Sequence, residues 1–146
     1  MSKGKRFSLY LLFTILVLIF LYLGFRYEIN LRIQTGKTYS SPAQYYFYSA
    51  LFPILVGIIL ALPGLIREFR KIGKWSMDWI KLLAIGVPTL LLNLNLILIA
   101  FTPIGKIEYF TTFNPFIEVM ITDESVISLC GAIFGYILIS SFSKRD

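Results

Sequence analysis

Asn93 and Asn95 are the side chains whose setting asks for chemistry. They stand two positions apart near the centre of an apolar run covering residues 82–101. A carboxamide there needs a hydrogen-bonding partner, because hydrocarbon supplies none. On a helix, a two-residue offset turns them to nearly opposite sides, so they require different neighbours. Gly86, Thr89 and Ala100 complete, with Asn93, the least apolar face of the run. Thr89, Asn93 and Asn95 are thus an intramembrane polar set that can either line a path for a solute or bridge neighbouring helices. Bridging is the commoner use of such residues.

Other chemistry has few carriers. The chain has no histidine, so it lacks the usual proton shuttle and the commonest metal ligand. Its single cysteine, Cys130, lies inside an apolar run and can form neither an intramolecular disulfide nor a paired-thiol centre. No glycine-rich phosphate loop can be assembled, and no Ser or Cys nucleophile has a base beside it. The apolar runs contain no carboxylate, which a proton-coupled antiporter would need at membrane depth. Glu108, Glu118, Asp123 and Glu124 cluster without the spacing of a calcium loop. The expectation is a chain that is not an enzyme, with no catalytic residue, cofactor site or metal site.

The elements that hold these residues follow from hydropathy. Of 146 residues, 57% are hydrophobic, and the mean hydropathy is +0.75, far above a soluble globular chain. Four apolar runs stand out, at about residues 7–25, 46–66, 82–101 and 126–142. Nineteen uncharged residues rising ~1.5 Å each cross the ~30 Å hydrocarbon layer. The first run exceeds a signal-peptide core and is followed by no small-x-small cleavage site, so it reads as a retained helix. The predicted fold is an all-α integral membrane protein, a single domain over residues 1–146 with four transmembrane helices as two antiparallel hairpins.

Between the hairpins lies a basic loop. Arg67, Arg70, Lys71, Lys74 and Lys81 are interleaved there with Phe69, Ile72, Trp75 and Trp79. The aromatic and apolar spacing of three, three and four suits a short helix lying in the membrane interface, whereas Gly73 suits a turn whose charges only set topology. In either case Arg67, Arg70, Lys71, Lys74, Trp75, Trp79 and Lys81 are expected at the interface, against anionic headgroups on the cytoplasmic face. The net charge of +6 belongs to such a surface and not to nucleic acid, because the basic residues flank apolar runs. Ten basic residues fall on the side of the N-terminus, the basic loop and the tail, against four on the other. Both termini are therefore expected in the cytoplasm.

The outer loops carry weaker signals. Glu28, Asn30, Arg32 and Gln34 alternate with Ile29, Leu31 and Ile33 ahead of Thr35 and Gly36, which reads as short β structure or as an irregular loop on the headgroups. Residues 107–113 are rich in strand formers and could pair with that segment.

Packing signals come from small residues. Ser49, Pro53, Gly57 and Ala61 recur every four positions in the second run, and Ser128, Gly131, Ala132 and Gly135 mark one face of the fourth. Backbones can approach closely along such faces, so the fourth helix is expected against the second, with a symmetric dimer through the fourth as the alternative. The expected function is that of an accessory, regulatory or immunity-type protein, multi-pass in a bacterial cytoplasmic membrane, with a protein partner and no nucleic acid. A small channel or transporter, oligomerised around the midplane asparagines, is the competing class.

Overall fold

A computed structural model describes residues 3–38, 43–103 and 125–145. The chain divides into two compact units, Met1–Tyr45 and Tyr46–Asp146. It is mostly helical, and two helices are long and apolar enough to cross a membrane, Phe7–Lys37 and Ala43–Phe69, each with a hydropathy of 2.4.

The first unit is built on α1 (Lys3–Thr38), 36 residues long. At ~1.5 Å per residue it extends about 54 Å, well beyond the hydrocarbon thickness. The uncharged part ends at Phe25, and the remaining turns carry Arg26, Glu28, Arg32 and Lys37. Residues 28–34, expected as β structure or irregular loop, are helical instead. Seven alternating residues are too few to overcome a helix already nucleated, which gains one hydrogen bond for each residue it adds. Between Gly24 and Gly36 there is no glycine or proline to stop it, and Glu28 precedes Arg32 at the favourable four-residue spacing. The Thr35 hydroxyl donates to the Leu31 carbonyl at 2.9 Å.

The second unit carries the elements from Tyr46 on. Helix α2 (Ala43–Phe69) continues through Pro53 and Pro63. After a short reversal comes β1 (Lys74–Met77), then α3 (Trp79–Lys81), a π turn (Leu82–Gly86) and α4 (Val87–Phe101) without interruption. Asp78 starts this run by accepting the Lys81 N–H at 3.1 Å. The π turn ends two residues before Pro88, where an ordinary turn would set the ring against the carbonyl four residues back. The wider turn bonds the Val87 N–H to the Leu82 carbonyl. Residues 104–124, which hold the acidic cluster and the second expected β segment, lie outside the described residues.

Helix α5 (Ser125–Ser140) leads through Ser141 into β2 (Phe142–Arg145). Strand β2 pairs antiparallel with β1, setting Lys74 opposite Arg145, Trp75 opposite Lys144, Ser76 opposite Ser143 and Met77 opposite Phe142. This ribbon corrects two expectations. The basic loop is neither an interfacial helix nor a plain turn: α2 stops at Phe69, and Gly73 takes a φ of 150° that side-chain-bearing residues rarely adopt. The fourth apolar run ends as helix at Ser140, because its last residues are drawn into the ladder. Regular β structure thus stands at the basic end of the second unit.

The interior of this unit is small and mixed. Ala50, Phe52 and Ala61 of α2, Ile127 and Ile137 of α5, and both asparagines of α4 are buried. Leu51, Leu55 and Leu60 of α2 and Leu129 and Ile133 of α5 face outward. Small and polar residues thus share the interior with Phe52, Ile127 and Ile137 while leucines face out, and small or polar residues between helices are a feature of packing in lipid.

Candidate functional site

Among the described residues of the second unit, α2 and α5 meet in backbone contact. A Cβ added at Gly57 would overlap the Ala132 carbonyl oxygen and lie 2.8 Å from both the Ala132 carbonyl carbon and the Tyr136 nitrogen. One added at Gly135 would overlap the Ile54 carbonyl oxygen and lie 3.0 Å from the Ile54 carbonyl carbon and the Ile58 nitrogen. Each glycine therefore receives the backbone of the opposite helix. Many weak dispersion contacts become available at that separation, and lipid-facing leucines cannot offer them. Ser49 and Ala61 are buried on α2 to either side of Gly57, and Ser128 is half-buried on α5.

Gly131 brings in the third helix. A Cβ there would stand 2.5 Å from Asn93 Nδ2 and 2.9 Å from Pro53 Cβ. Asn93, 1% exposed, donates from Nδ2 to the Ile127 carbonyl at 3.1 Å. The flipped amide would set two oxygens against each other, so the bond fixes the orientation. Asn93 Oδ1 is buried with no hydrogen-bond partner among the described residues. Asn95 is buried as well. Thr89 does not join them, because its hydroxyl donates to carbonyls of its own helix, Ile85 at 2.8 Å and Gly86 at 3.0 Å. The expected polar set is thereby split, with Asn93 holding α4 to α5 and Thr89 serving the backbone around the π turn.

A second cluster forms where α2 and α5 end. Lys144 donates its backbone N–H to Glu68 Oε2 at 3.1 Å, and its ammonium to the carbonyls of Lys71 at 2.8 Å and Phe69 at 3.3 Å. The same ammonium stands 5.2 Å from the centre of the Trp75 ring, which meets Phe69 edge-on at 4.9 Å. A cation on the Phe69 carbonyl, the last of α2, satisfies a group that a helix end leaves open and complements its dipole, while the Lys71 carbonyl lies in the turn beyond. Lys81 does the same for α5, donating to Ser140 Oγ at 2.8 Å and to the Ser140 carbonyl at 3.3 Å. The Asp78 N–H donates to the Ser141 carbonyl at 2.9 Å, and the Ser141 hydroxyl to the Ile137 carbonyl at 2.7 Å. A cavity of about 130 Å³ lies beside this cluster, with Gly64, Glu68, Tyr136 and Ser140 in its walls.

The expected interface residues thus divide by role. Lys81 caps a helix and Lys71 pairs with Glu68 at 2.5 Å. Arg67, Arg70, Lys74, Trp75 and Trp79 are exposed. Lys144 and Ser141 were not expected here, and no periodicity in the tail marks them. Among the described residues, no three His, Cys, Asp or Glu side chains gather where a metal ion could be held. No protein-family model, curated protein or solved structure matches the chain.

Proposed function

We propose that this chain is an integral membrane protein of accessory kind, a subunit, regulator or immunity-type factor that works through helix packing and its outer loops without catalysing a reaction. The observation that carries this reading is the backbone contact of α2 and α5 through Gly57 and Gly135, with Asn93 engaged on the Ile127 carbonyl. The described interior is organised to hold helices together. The chain crosses the bacterial cytoplasmic membrane four times, at about residues 7–25, 46–66, 82–101 and 126–142, with both termini in the cytoplasm. Loop charge supports that topology. The β1–β2 pairing supports it too, because it keeps the tail beside the basic loop.

Crosslinking in native membranes tests the function, the expected product being a stoichiometric second protein. The channel reading draws on one observation, an Asn93 Oδ1 with no hydrogen-bond partner among the described residues. It would prevail if purified protein in liposomes conducted ions and Asn93→Leu abolished the flux. For the topology, an impermeant thiol reagent applied to intact cells should modify Thr112→Cys and spare Ser76→Cys, each in a Cys130→Ser background. Labelling of the Ser76→Cys variant alone would invert the orientation.

A further inference from the structure

At the basic end, residues 67–81 and 142–146 hold seven basic and three acidic side chains. The two acids described there are already engaged, Glu68 by Lys71 and the Lys144 N–H, Asp78 by the Lys81 N–H. Arg70 and Lys74 are exposed, with no acid paired to them among the described residues. The ladder also brings the end of the tail strand to Lys74, which it pairs with position 145.

Apolar groups crowd the same end. Ile72 is 94% exposed, Ile80 82%, Phe69 62% and Trp79 61%. Four large apolar side chains within twelve residues, among unpaired cations, match a layer that is anionic and apolar at once. A free inorganic ion would answer the charge and leave these side chains in water.

We propose that the β1–β2 ribbon and the turn leading into it bind the phosphate headgroup of anionic phospholipid, with Arg70 and Lys74 on the phosphate and Ile72, Trp75 and Trp79 in the adjoining interface. The inference rests on the membrane reading above and deepens it: the charges that orient the chain also form a site, and that site takes shape when the tail strand joins the loop. The tail contributes the opposing strand and, through Lys144, the cap that closes α2. A short basic loop without that partner would have no fixed geometry to offer a headgroup.

Trp75 and Trp79 are the two tryptophans of the chain, so their emission reports on this end alone. The full-length protein is reconstituted in phosphatidylcholine vesicles doped at equal mole fraction with brominated phosphatidylglycerol or brominated phosphatidylcholine, and quenching is titrated. A cation near an anionic surface favours anionic lipid by about fivefold. Wild type should therefore prefer the phosphatidylglycerol quencher, and the double substitution Arg70→Gln with Lys74→Gln should reduce that preference by about twenty-five-fold. Millimolar inorganic phosphate should not compete. Equal quenching by the two lipids in the wild type, or a preference unchanged in the double variant at unaltered melting temperature, overturns the proposal; an unchanged preference would turn attention to an acidic protein surface. Failure of the membrane reading shows separately, as release of the wild-type protein from native membranes by alkaline carbonate.

Discussion

Gly135→Ala places one methyl group at the closest approach of α2 and α5. The new carbon would overlap the Ile54 carbonyl oxygen and lie 3.0 Å from two further backbone atoms, the Ile54 carbonyl carbon and the Ile58 nitrogen. No rotamer change can relieve a clash with backbone, so the helices must part, by about 1 Å to restore ordinary contact. Overpacking of this kind costs about 1–3 kcal/mol. Alanine is also the better helix former by about 1 kcal/mol, which masks part of that cost. Gly64→Ala is the matched control. It too lies inside a helix, and a Cβ there meets nothing within 4 Å, so the propensity gain appears without the clash. The gap between the variants isolates the steric term, and at about 2–4 °C per kcal/mol for a chain of this length it can be read as a difference in melting temperature in detergent. Gly57→Ala should behave like Gly135→Ala. Because one separation makes room for both methyl groups, the double variant should cost less than the two singles together, by about 0.5 kcal/mol or more. If Gly135→Ala melts at or above Gly64→Ala, the two helices are not in backbone contact and the reasoning fails.

Asn93→Leu removes the bond to Ile127 and the unpartnered oxygen together; interhelical hydrogen bonds in membranes average about 0.6 kcal/mol, so the loss of stability should stay under about 1 kcal/mol by thermal melting. Lys81→Met should fray the last turn of α5, which loses two accepted hydrogen bonds and a cation at its negative end, at a cost of about 1 kcal/mol visible as faster amide exchange near Ser140. Removing residues 142–146 should release β1 and leave the Phe69 and Lys71 carbonyls without their ammonium donor. Amide exchange across Trp75, Ser76 and Met77 should then rise by at least roughly tenfold, the equivalent of about 1.4 kcal/mol, while the α4–α5 interior keeps its protection.

Residue type and spacing reach some parts of this molecule and miss others, for physical reasons. The helices are legible because long uncharged apolar runs stand out in hydropathy, two of them long enough to cross a membrane, and the small residues at Gly57, Gly131 and Gly135 because close approach leaves no room for a side chain. The extension of α1 past Phe25 is not, since alternating charged and apolar residues suit a solvated helix face as well as a strand. The ribbon is further out of reach. Four residues on each side, 65 or more positions apart in every pair, are joined through backbone groups that every residue carries. Lys81 and Lys144 show the same limit from another side: a lysine beside an apolar run looks like a topological charge, and its work as a cap appears only when another helix end arrives at its ammonium.

The single residue between α5 and β2 sets how the second unit can move. Ser141 has its hydroxyl and its N–H on the Ile137 carbonyl and its own carbonyl on the Asp78 N–H, so the joint has no slack. When packed helices ratchet past one another they do so by one turn, about 5.4 Å. A strand that keeps its two faces can shift register only by two residues, about 6.8 Å. The two step lengths are incommensurate. Helix α5 therefore cannot ratchet by a full turn along α2 while the ribbon stays zipped. The ribbon is thus a restraint on one-turn translation of α5, a displacement that would require the ladder to open first.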